Sequence, residues 1–188
     1  MIAVTSDLLR SRGFHGTSLK AILGASGAPR GSLYYYFPGG KEELVLEALL
    51  GQVRRITRGL SEILRSAPDP VAGVRAYYGA AARELEESEF HLGCPVAPVI
   101  LDALSGSDTL EEACRDALAE WEEILGRNFD RAGMAPERAA SLAALAVSAL
   151  EGAMLVARAH RETTPIDVVA GEVCTAIESA LDGAPGPV

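Results

Sequence analysis

The sequence predicts an all-α protein, with a small N-terminal module of three short helices followed by a larger helical body. Apolar side chains recur at intervals of three and four along residues 45–64 and 166–181, which is the period of an amphipathic helix. Asp69 before Pro70 is a helix start signal, because aspartate caps the first turn and proline suits the first helical position. No segment shows the apolar–polar alternation or the Asn-Gly turn of a β-hairpin.

These periods and caps predict nine helices, three of them short and most of the others long. They are expected near residues 2–12, 18–25, 29–36, 40–66, 70–89, 95–105, 108–132, 136–162 and 165–182. Thr17 can cap the second helix and Thr164 the ninth, while Ser107 or Asp108 can cap the seventh. Gly133 can end the seventh helix, because glycine readily adopts the left-handed conformation that follows many helices.

The change from short to long helices divides the chain into a domain at residues 1–47, a body at 48–182 and a flexible tail at 183–188. Charge divides in a similar way. The chain has a net charge of −9, but residues 1–50 carry five basic and four acidic side chains, so the acidity belongs to the body. The first domain is therefore free to approach a polyanion, although the protein as a whole is acidic.

Composition predicts a folded cytoplasmic protein. Hydrophobic residues make up 48% and charged residues 23%, which excludes extensive disorder. The three cysteines, Cys94, Cys114 and Cys174, are far apart and odd in number, which favours a reducing compartment over a disulfide framework. Residues 1–7 lack the pattern of a signal peptide. Residues 139–156 contain a single charge, but their many alanines predict a buried helix and not a membrane span.

Residues 17–37 have the pattern of a helix-turn-helix. Two short helical segments flank Gly27, which permits the tight turn between them. Ile22, Leu33 and Phe37 supply a small shared core. The second segment is too short to be stable alone, so its stability depends on docking through these apolar side chains.

The second segment of this motif presents hydrogen-bond donors to the outside. Arg30, Ser32, Tyr34 and Tyr35 are suited to phosphates and to base edges. Consecutive aromatic residues on a helix cannot all face one core. We therefore assign Phe37 to the core and favour DNA contact over core packing for the two tyrosines.

Gly39-Gly40-Lys41 invites comparison with a phosphate-binding loop, which the flanking residues exclude. That loop requires glycine where Tyr35 stands and serine or threonine where Glu42 stands. The two glycines instead predict a turn into the fourth helix, whose N-terminal amides and Lys41 can hold a DNA phosphate.

A family resemblance is carried by Gly13-Phe14, Thr17-Ser18, Gly-Ser-Leu-Tyr-Tyr-Tyr-Phe at 31–37 and Lys-Glu-Glu-Leu at 41–44. Together they resemble the DNA-binding domain of the tetracycline-repressor (TetR) family of bacterial transcriptional regulators. Gly-Cys-Pro-Val-Ala at 93–97 and Leu101-Asp102 are similar to its LmrA/YxaF-like subgroup. The resemblance implies a homodimer with a ligand pocket in each body. It also implies DNA contacts at Thr17, Ser18, Lys20, Arg30, Ser32, Tyr34, Tyr35 and Lys41.

The body contains large apolar side chains that line a ligand cavity if they converge, although each of them also fits an ordinary core. These candidates are Tyr77, Tyr78, Phe90, Trp121, Phe129 and Met154. Glu151 lies in the middle of an apolar helix, where a carboxylate is costly unless it is paired or hydrated. It is either a polar anchor for the ligand or the partner of Arg158, Arg161 or an arginine of a second subunit.

Small residues on the eighth predicted helix indicate a close helix contact. Ala149, Ala153 and Ala157 repeat every four residues beside Gly152, and the last helix carries a stripe of valine and isoleucine. We predict that both helices form a four-helix bundle with their copies across a twofold axis, against the alternative of internal packing only. The interface candidates are Ala149, Gly152, Ala153, Val169, Val173 and Ile177.

The remaining chemistry points away from an enzyme, a metal site and a cofactor. No nucleophile motif occurs, and His91 with Cys94 supplies only two of the three or four ligands that a metal needs. The sequence therefore predicts a cytoplasmic, homodimeric repressor that binds a palindromic double-stranded operator, is released by a small apolar or aromatic effector and has no membrane partner. The alternative is a helical enzyme or ligand-binding protein that retains the N-terminal module as a relic.

Overall fold

The computed structural model describes residues 1–103 and 106–183. Over these residues the chain forms nine α-helices and no strand, which confirms the predicted all-α fold. The helices are α1 (Ile2–Gly16), α2 (Leu19–Ser26), α3 (Arg30–Tyr36), α4 (Lys41–Ser66), α5 (Pro70–Glu87), α6 (Val96–Ala103), α7 (Asp108–Arg131), α8 (Pro136–His160) and α9 (Thr164–Asp182).

Several helix ends use the predicted capping residues. The Asp69 carboxylate accepts the backbone N–H of Ala72 at 2.8 Å, and Pro70 follows as the first residue of α5. Ser107, one of two candidates for α7, accepts the N–H of Leu110 at 3.3 Å. Gly133 follows α7 with a φ of 96°. These ends are local signals, so a sequence pattern identifies them.

Two predicted caps are wrong. Ser18 and not Thr17 caps α2, because the Ser18 hydroxyl accepts the N–H of Ala21 at 3.1 Å, whereas the Thr17 side chain is buried. Thr164 is already the first residue of α9, and Thr163 precedes it without a side-chain capping bond. In both cases two adjacent residues carry a side-chain hydroxyl of the kind that caps helices.

The first helix extends beyond its predicted end. It continues to Gly16, but Gly13 interrupts the regular geometry with a φ of 71° and a ψ of −174°. The left-handed φ explains why glycine stands here, since other residues are strained in this conformation.

The helices form two compact units that do not follow the order of the chain. The first unit comprises Met1–Ile56 together with His91–Ala117, and the second comprises Thr57–Phe90 together with the residues from Leu118 onward. Both α4 and α7 therefore contribute to each unit. The boundary that we predicted after residue 47 stays a prediction, and the predicted tail beyond Gly183 lies outside the described residues.

In the first unit, the core of the short helices is small. Ile22, Leu33 and Leu44 are fully buried, and Phe37 packs against them, as the sequence indicated. α6 packs against α1 within the same unit. The helix-turn-helix is therefore joined by a helix from a distant part of the sequence.

In the second unit, α8 packs against α5 and α9. All the buried residues of α8 are apolar: Ala139, Leu142, Ala143, Ala146, Val147, Leu150, Ala153 and Ala157. Among the described residues, α8 is the one helix long and apolar enough to cross a membrane by length and composition, with a mean hydropathy of 1.8. One face of α8 packs against α5 and α9, while Leu145, Leu155 and Val156 are exposed in the protomer.

Candidate functional site

α3 presents one face to the core and the other to solvent. Leu33 is fully buried, whereas Tyr34 is 47% and Tyr35 78% exposed. Arg30 is exposed and Ser32 is half-buried. A seven-residue helix fixed by its inner face thus displays a set of guanidinium, hydroxyl and phenol groups toward solvent.

Tyr36 also belongs to this exposed set, although the sequence pattern did not identify it as a candidate for DNA contact. Its side chain is 66% exposed, and its ring meets that of Tyr35 edge to face with centroids 4.9 Å apart. The spacing did not predict this, because Tyr36 follows Leu33 by three positions, and residues three apart share one face of a helix.

The α2 residues implied by the family resemblance divide into two kinds. Ser18 and Lys20 are exposed. Thr17 is fully buried, and its hydroxyl donates to the carbonyl oxygen of Gly13 at 2.6 Å. The structure thus brings Ser18 and Lys20 to the surface beside the recognition motif, while Thr17 fixes the turn before it.

Lys41 begins α4 after a turn in which Gly40 has a φ of 72°. Its Nζ donates to the carbonyl oxygen of Phe14 at 2.6 Å and lies 3.9 Å from the centroid of the Phe14 ring. Burial lowers the pKa of Lys41, and the nearby Asp102 carboxylate opposes that shift. The ammonium is therefore engaged within the first unit, where it joins α4 to α1.

The predicted ligand residues are packed into the second unit to different extents. Tyr78, Trp121 and Phe129 are almost fully buried, whereas Tyr77, Phe90, Glu151 and Met154 are half-buried. The Tyr78 hydroxyl donates to the carbonyl oxygen of Ala146 at 2.6 Å, and burial raises the pKa of this phenol. The Trp121 indole N–H donates to the Thr57 hydroxyl at 3.0 Å.

Among the described residues, three pockets on the second unit are lined by side chains other than the predicted ligand residues. One of about 390 Å³ lies between α7 and α8, and one of about 600 Å³ lies between α5 and α9. The third, of about 620 Å³, lies between α8 and α9. Tyr78, Trp121 and Phe129 act as core side chains of the second unit.

The pocket between α8 and α9 contains most of the predicted dimer residues. Ala149, Gly152, Ala153 and Val169 line it, together with the exposed side chains of Val156 and Val168. Val173 and Ile177 do not belong to this surface, because they are 3% and 0% exposed within the protomer. The stripe on α9 is therefore divided, since Val173 and Ile177 pack inward whereas Val169 lines the groove.

The three cysteines of the chain lie inside the protein. Cys94, Cys114 and Cys174 are free and buried, and burial raises the pKa of Cys114 to about 11. Within the part of the chain that the structure describes, no three side chains of the metal-binding types come together.

A helix-turn-helix with an exposed donor face, attached to a helical body, defines a DNA-binding transcriptional regulator. A model of bacterial regulatory proteins of the tetR family matches residues 1–48, and a model of the C-terminal domain of LmrA/YxaF-like transcriptional regulators matches residues 70–172. The chain belongs to the TetR family, in its LmrA/YxaF-like branch. This membership confirms the resemblance and excludes the enzyme alternative, since the relatives are regulators.

Individual relatives match over nearly the whole chain. The uncharacterized regulator Rv0196 of Mycobacterium tuberculosis is 35% identical over 176 residues, which cover 90% of this chain and 88% of the relative. The crystal structure of a TetR regulatory protein from Rhodobacter sphaeroides superposes with a TM-score of 0.86 at 22% identity, covering 93% of this chain and 95% of the other. The TetR-family regulator CifR, solved with a 26-bp double-strand operator, has a TM-score of 0.71 at 25% identity, covering 98% and 95%.

Proposed function

We propose that this protein is a cytoplasmic homodimeric repressor that binds a palindromic operator and is released by a small apolar or aromatic effector. The observation that carries the proposal is the exposed face of α3. Its inner side is fixed by Leu33, and its outer side offers guanidinium, hydroxyl and phenol groups that suit phosphates and base edges. The operator complex of CifR supports this use of the fold.

In this proposal the side chains of α3 read the major groove and those of α2 hold the backbone. Arg30 suits a guanine edge, because its guanidinium donates two parallel hydrogen bonds. Tyr34, Tyr35 and Tyr36 add phenol donors and flat apolar surfaces. Lys20 is exposed on α2 and suits a phosphate, which carries no sequence information. Lys41 can reach a phosphate only in competition with the Phe14 carbonyl.

The dimer contact in this proposal is the apolar groove between α8 and α9. Small residues at its base allow the same helix of a second copy to approach closely, and Val156 and Val168 gain burial. A palindromic operator requires two recognition helices related by a twofold axis, which this contact supplies.

The effector is proposed to bind among the aromatic side chains of the second unit. Tyr78 and Trp121 are closely packed, so an effector has to displace them from their hydrogen bonds. Trp121 is the single tryptophan of the chain and therefore reports such a displacement in its fluorescence. A release ligand must bind the operator complex more weakly than the free protein. Equal affinity for both states contradicts ligand-driven release.

Operator binding is tested with duplexes selected from a random-sequence library and with two substitutions. Lys20→Ala is expected to weaken all duplexes equally and to lower the salt slope by about one, because one phosphate contact is lost. Arg30→Ala is expected to weaken the selected sequence by about 1–3 kcal/mol and to relax its base preference.

Arg127→Ala is the matched control, since Arg127 is an exposed cation of the second unit that pairs with Glu123 at 3.1 Å. It is expected to leave both the affinity and the slope unchanged. A wild-type protein that shows no sequence preference for any duplex at low salt contradicts the proposed function.

A further inference from the structure

The turn from Gly13 to Thr17 joins α1 to the helix-turn-helix. Because Gly13 departs from helical geometry, α1 is kinked there and a new helical turn follows from Phe14. The N–H groups at the start of a helical turn normally bond the side chain of the capping residue. Gly13 occupies that position but has no side chain to offer.

Asp102 on α6 supplies the missing acceptor. Its Oδ2 accepts the backbone N–H of His15 at 3.0 Å, and its main-chain oxygen lies 3.1 Å from Nε2 of the His15 ring. A carboxylate at this end of a helical turn is also stabilised by the dipoles of the peptide groups. A Cβ on Gly13 would overlap Asp102 Oδ2, so the absent side chain and the incoming carboxylate depend on each other.

The same turn is fixed at its carbonyl groups. The Gly13 oxygen accepts the Thr17 hydroxyl at 2.6 Å, and the Phe14 oxygen accepts the ammonium of Lys41 at 2.6 Å. Ser18, the next residue, caps α2. The direction in which α2 leaves α1 is therefore set by a turn that Thr17 closes from within, through its N–H on the Phe14 carbonyl at 3.2 Å, and that Asp102 holds from α6.

We propose that Asp102 is a positioning residue for DNA binding, which acts by capping the turn between α1 and α2 from α6. The inference rests on the proposed function, because it concerns how tightly the operator is held. Asp102 contacts no DNA in this account. It sets the starting point of α2 and, through the shared core, the orientation of α3.

Electrostatics alone predicts the opposite change in operator affinity, so the direction of the change distinguishes the two explanations. Removal of a negative charge from a DNA-binding unit strengthens its attraction to the phosphate backbone. Loss of a positioning contact weakens binding. The substitution Asp102→Ala therefore moves the operator affinity in opposite directions under the two accounts.

The experiment measures operator affinity of the full-length dimer on a duplex selected with the wild-type protein. Asp102→Ala is expected to weaken binding about tenfold, the size of a lost capping bond, with the salt slope unchanged. Asp102→Asn keeps an acceptor oxygen and is expected to recover most of that loss. Asp116→Ala removes an exposed carboxylate of the same unit and serves as the charge control, with affinity equal to or tighter than the wild type.

Two further measurements separate positioning from loss of folded protein. Titration at stoichiometric DNA gives the active fraction, which is expected to stay constant while the dissociation constant rises. Amide exchange at His15 is expected to accelerate in Asp102→Ala and not in Asp116→Ala, because only the first removes its acceptor.

Asp102→Ala binding as tightly as the wild type, or tighter, overturns the inference. A lower active fraction with an unchanged dissociation constant in both Asp102 variants also overturns it. A wild-type protein without sequence preference contradicts the proposed function itself, and this outcome is distinct because it appears before any substitution is made.

Discussion

The two units of the molecule differ in the balance between polar contacts and apolar packing among their helices. In the first unit, the helices around the DNA-binding motif are joined by single polar contacts across long sequence distances, such as the Arg10 guanidinium that donates to the Gly93 carbonyl at 2.8 Å. In the second unit, the side chains that α8 buries are all apolar, and five of the eight are alanines. A small module buries little apolar surface, so polar contacts at its turns contribute more to its geometry than they do in a unit built around a long apolar helix.

This difference predicts different sensitivities. A hydrogen bond fixes direction and is lost when one atom is removed. A close-packed helix face is insensitive to polarity at its centre but intolerant of added volume or charge. The first unit is therefore expected to respond to atom-sized changes in its turns, and the second to changes on its packed faces.

The largest expected effect is at the proposed dimer face of the second unit. Gly152→Glu places a carboxylate in the groove between α8 and α9, where a second copy would bury it without a partner. We expect a loss of about 3 kcal/mol or more, which lowers the dimerisation constant over 100-fold. Sedimentation at micromolar concentration measures the shift from dimer to monomer.

Gly59→Glu is the matched control, because a Cβ at Gly59 and at Gly152 alike meets no atom within 4 Å in the protomer. It is expected to remain dimeric. Equal behaviour of the two variants, or a wild-type monomer, removes the groove from the dimer interface.

The second effect tests the turn of the first unit. Gly13→Ala is expected to lower the free energy of unfolding by about 2 kcal/mol or more, because alanine is strained at a φ of 71° and its Cβ overlaps the Asp102 carboxylate. Urea denaturation measures it. At Gly24, on α2, a Cβ would meet no atom within 4 Å. Gly24→Ala is therefore expected to raise the free energy of unfolding by about 0.5–1 kcal/mol. The opposite signs distinguish a glycine required by geometry from one that is not.

The smallest expected effect on the free energy of unfolding concerns a polar contact inside the second unit. Thr57→Val removes the acceptor of the buried Trp121 N–H, and we expect a loss of about 1 kcal/mol in the free energy of unfolding. Glu120→Ala removes only the exposed acceptor of the Thr57 hydroxyl and is expected to change stability by less than about 0.5 kcal/mol. A Thr57→Val loss as large as that of Gly13→Ala would erase the contrast between the units.

Local patterns were enough to predict the helices and the face of α3. Capping residues, prolines and apolar spacing depend on neighbours within a few positions, and so do the inward Leu33 and the outward tyrosines. The same patterns do not choose between equivalent neighbours, which is why Thr17 was assigned the cap that Ser18 forms.

The packing partners of the helices were harder to predict from the sequence than the helices themselves. An apolar stripe on α9 shows that one face is buried, but not whether its own protomer or a second copy covers it, and Val173 and Ile177 turned out to pack inward. The link between His15 and Asp102 joins residues 87 positions apart and has no local signature. Gly13 was the available signal, since a glycine inside an apolar helical period indicates a break.

The first unit is discontinuous in sequence, and this has a consequence for its synthesis. Its N-terminal part ends at Ile56, but its second part, which begins at His91, is complete only when Ala117 has been added. At a translation rate of about 5–20 residues per second, the intervening stretch of about 60 residues takes roughly 3–12 s to emerge. During that interval the nascent helix-turn-helix lacks the Gly93 and Asp102 contacts that complete it. The chain is thus expected to acquire its full affinity for DNA only after more than half of it has left the ribosome.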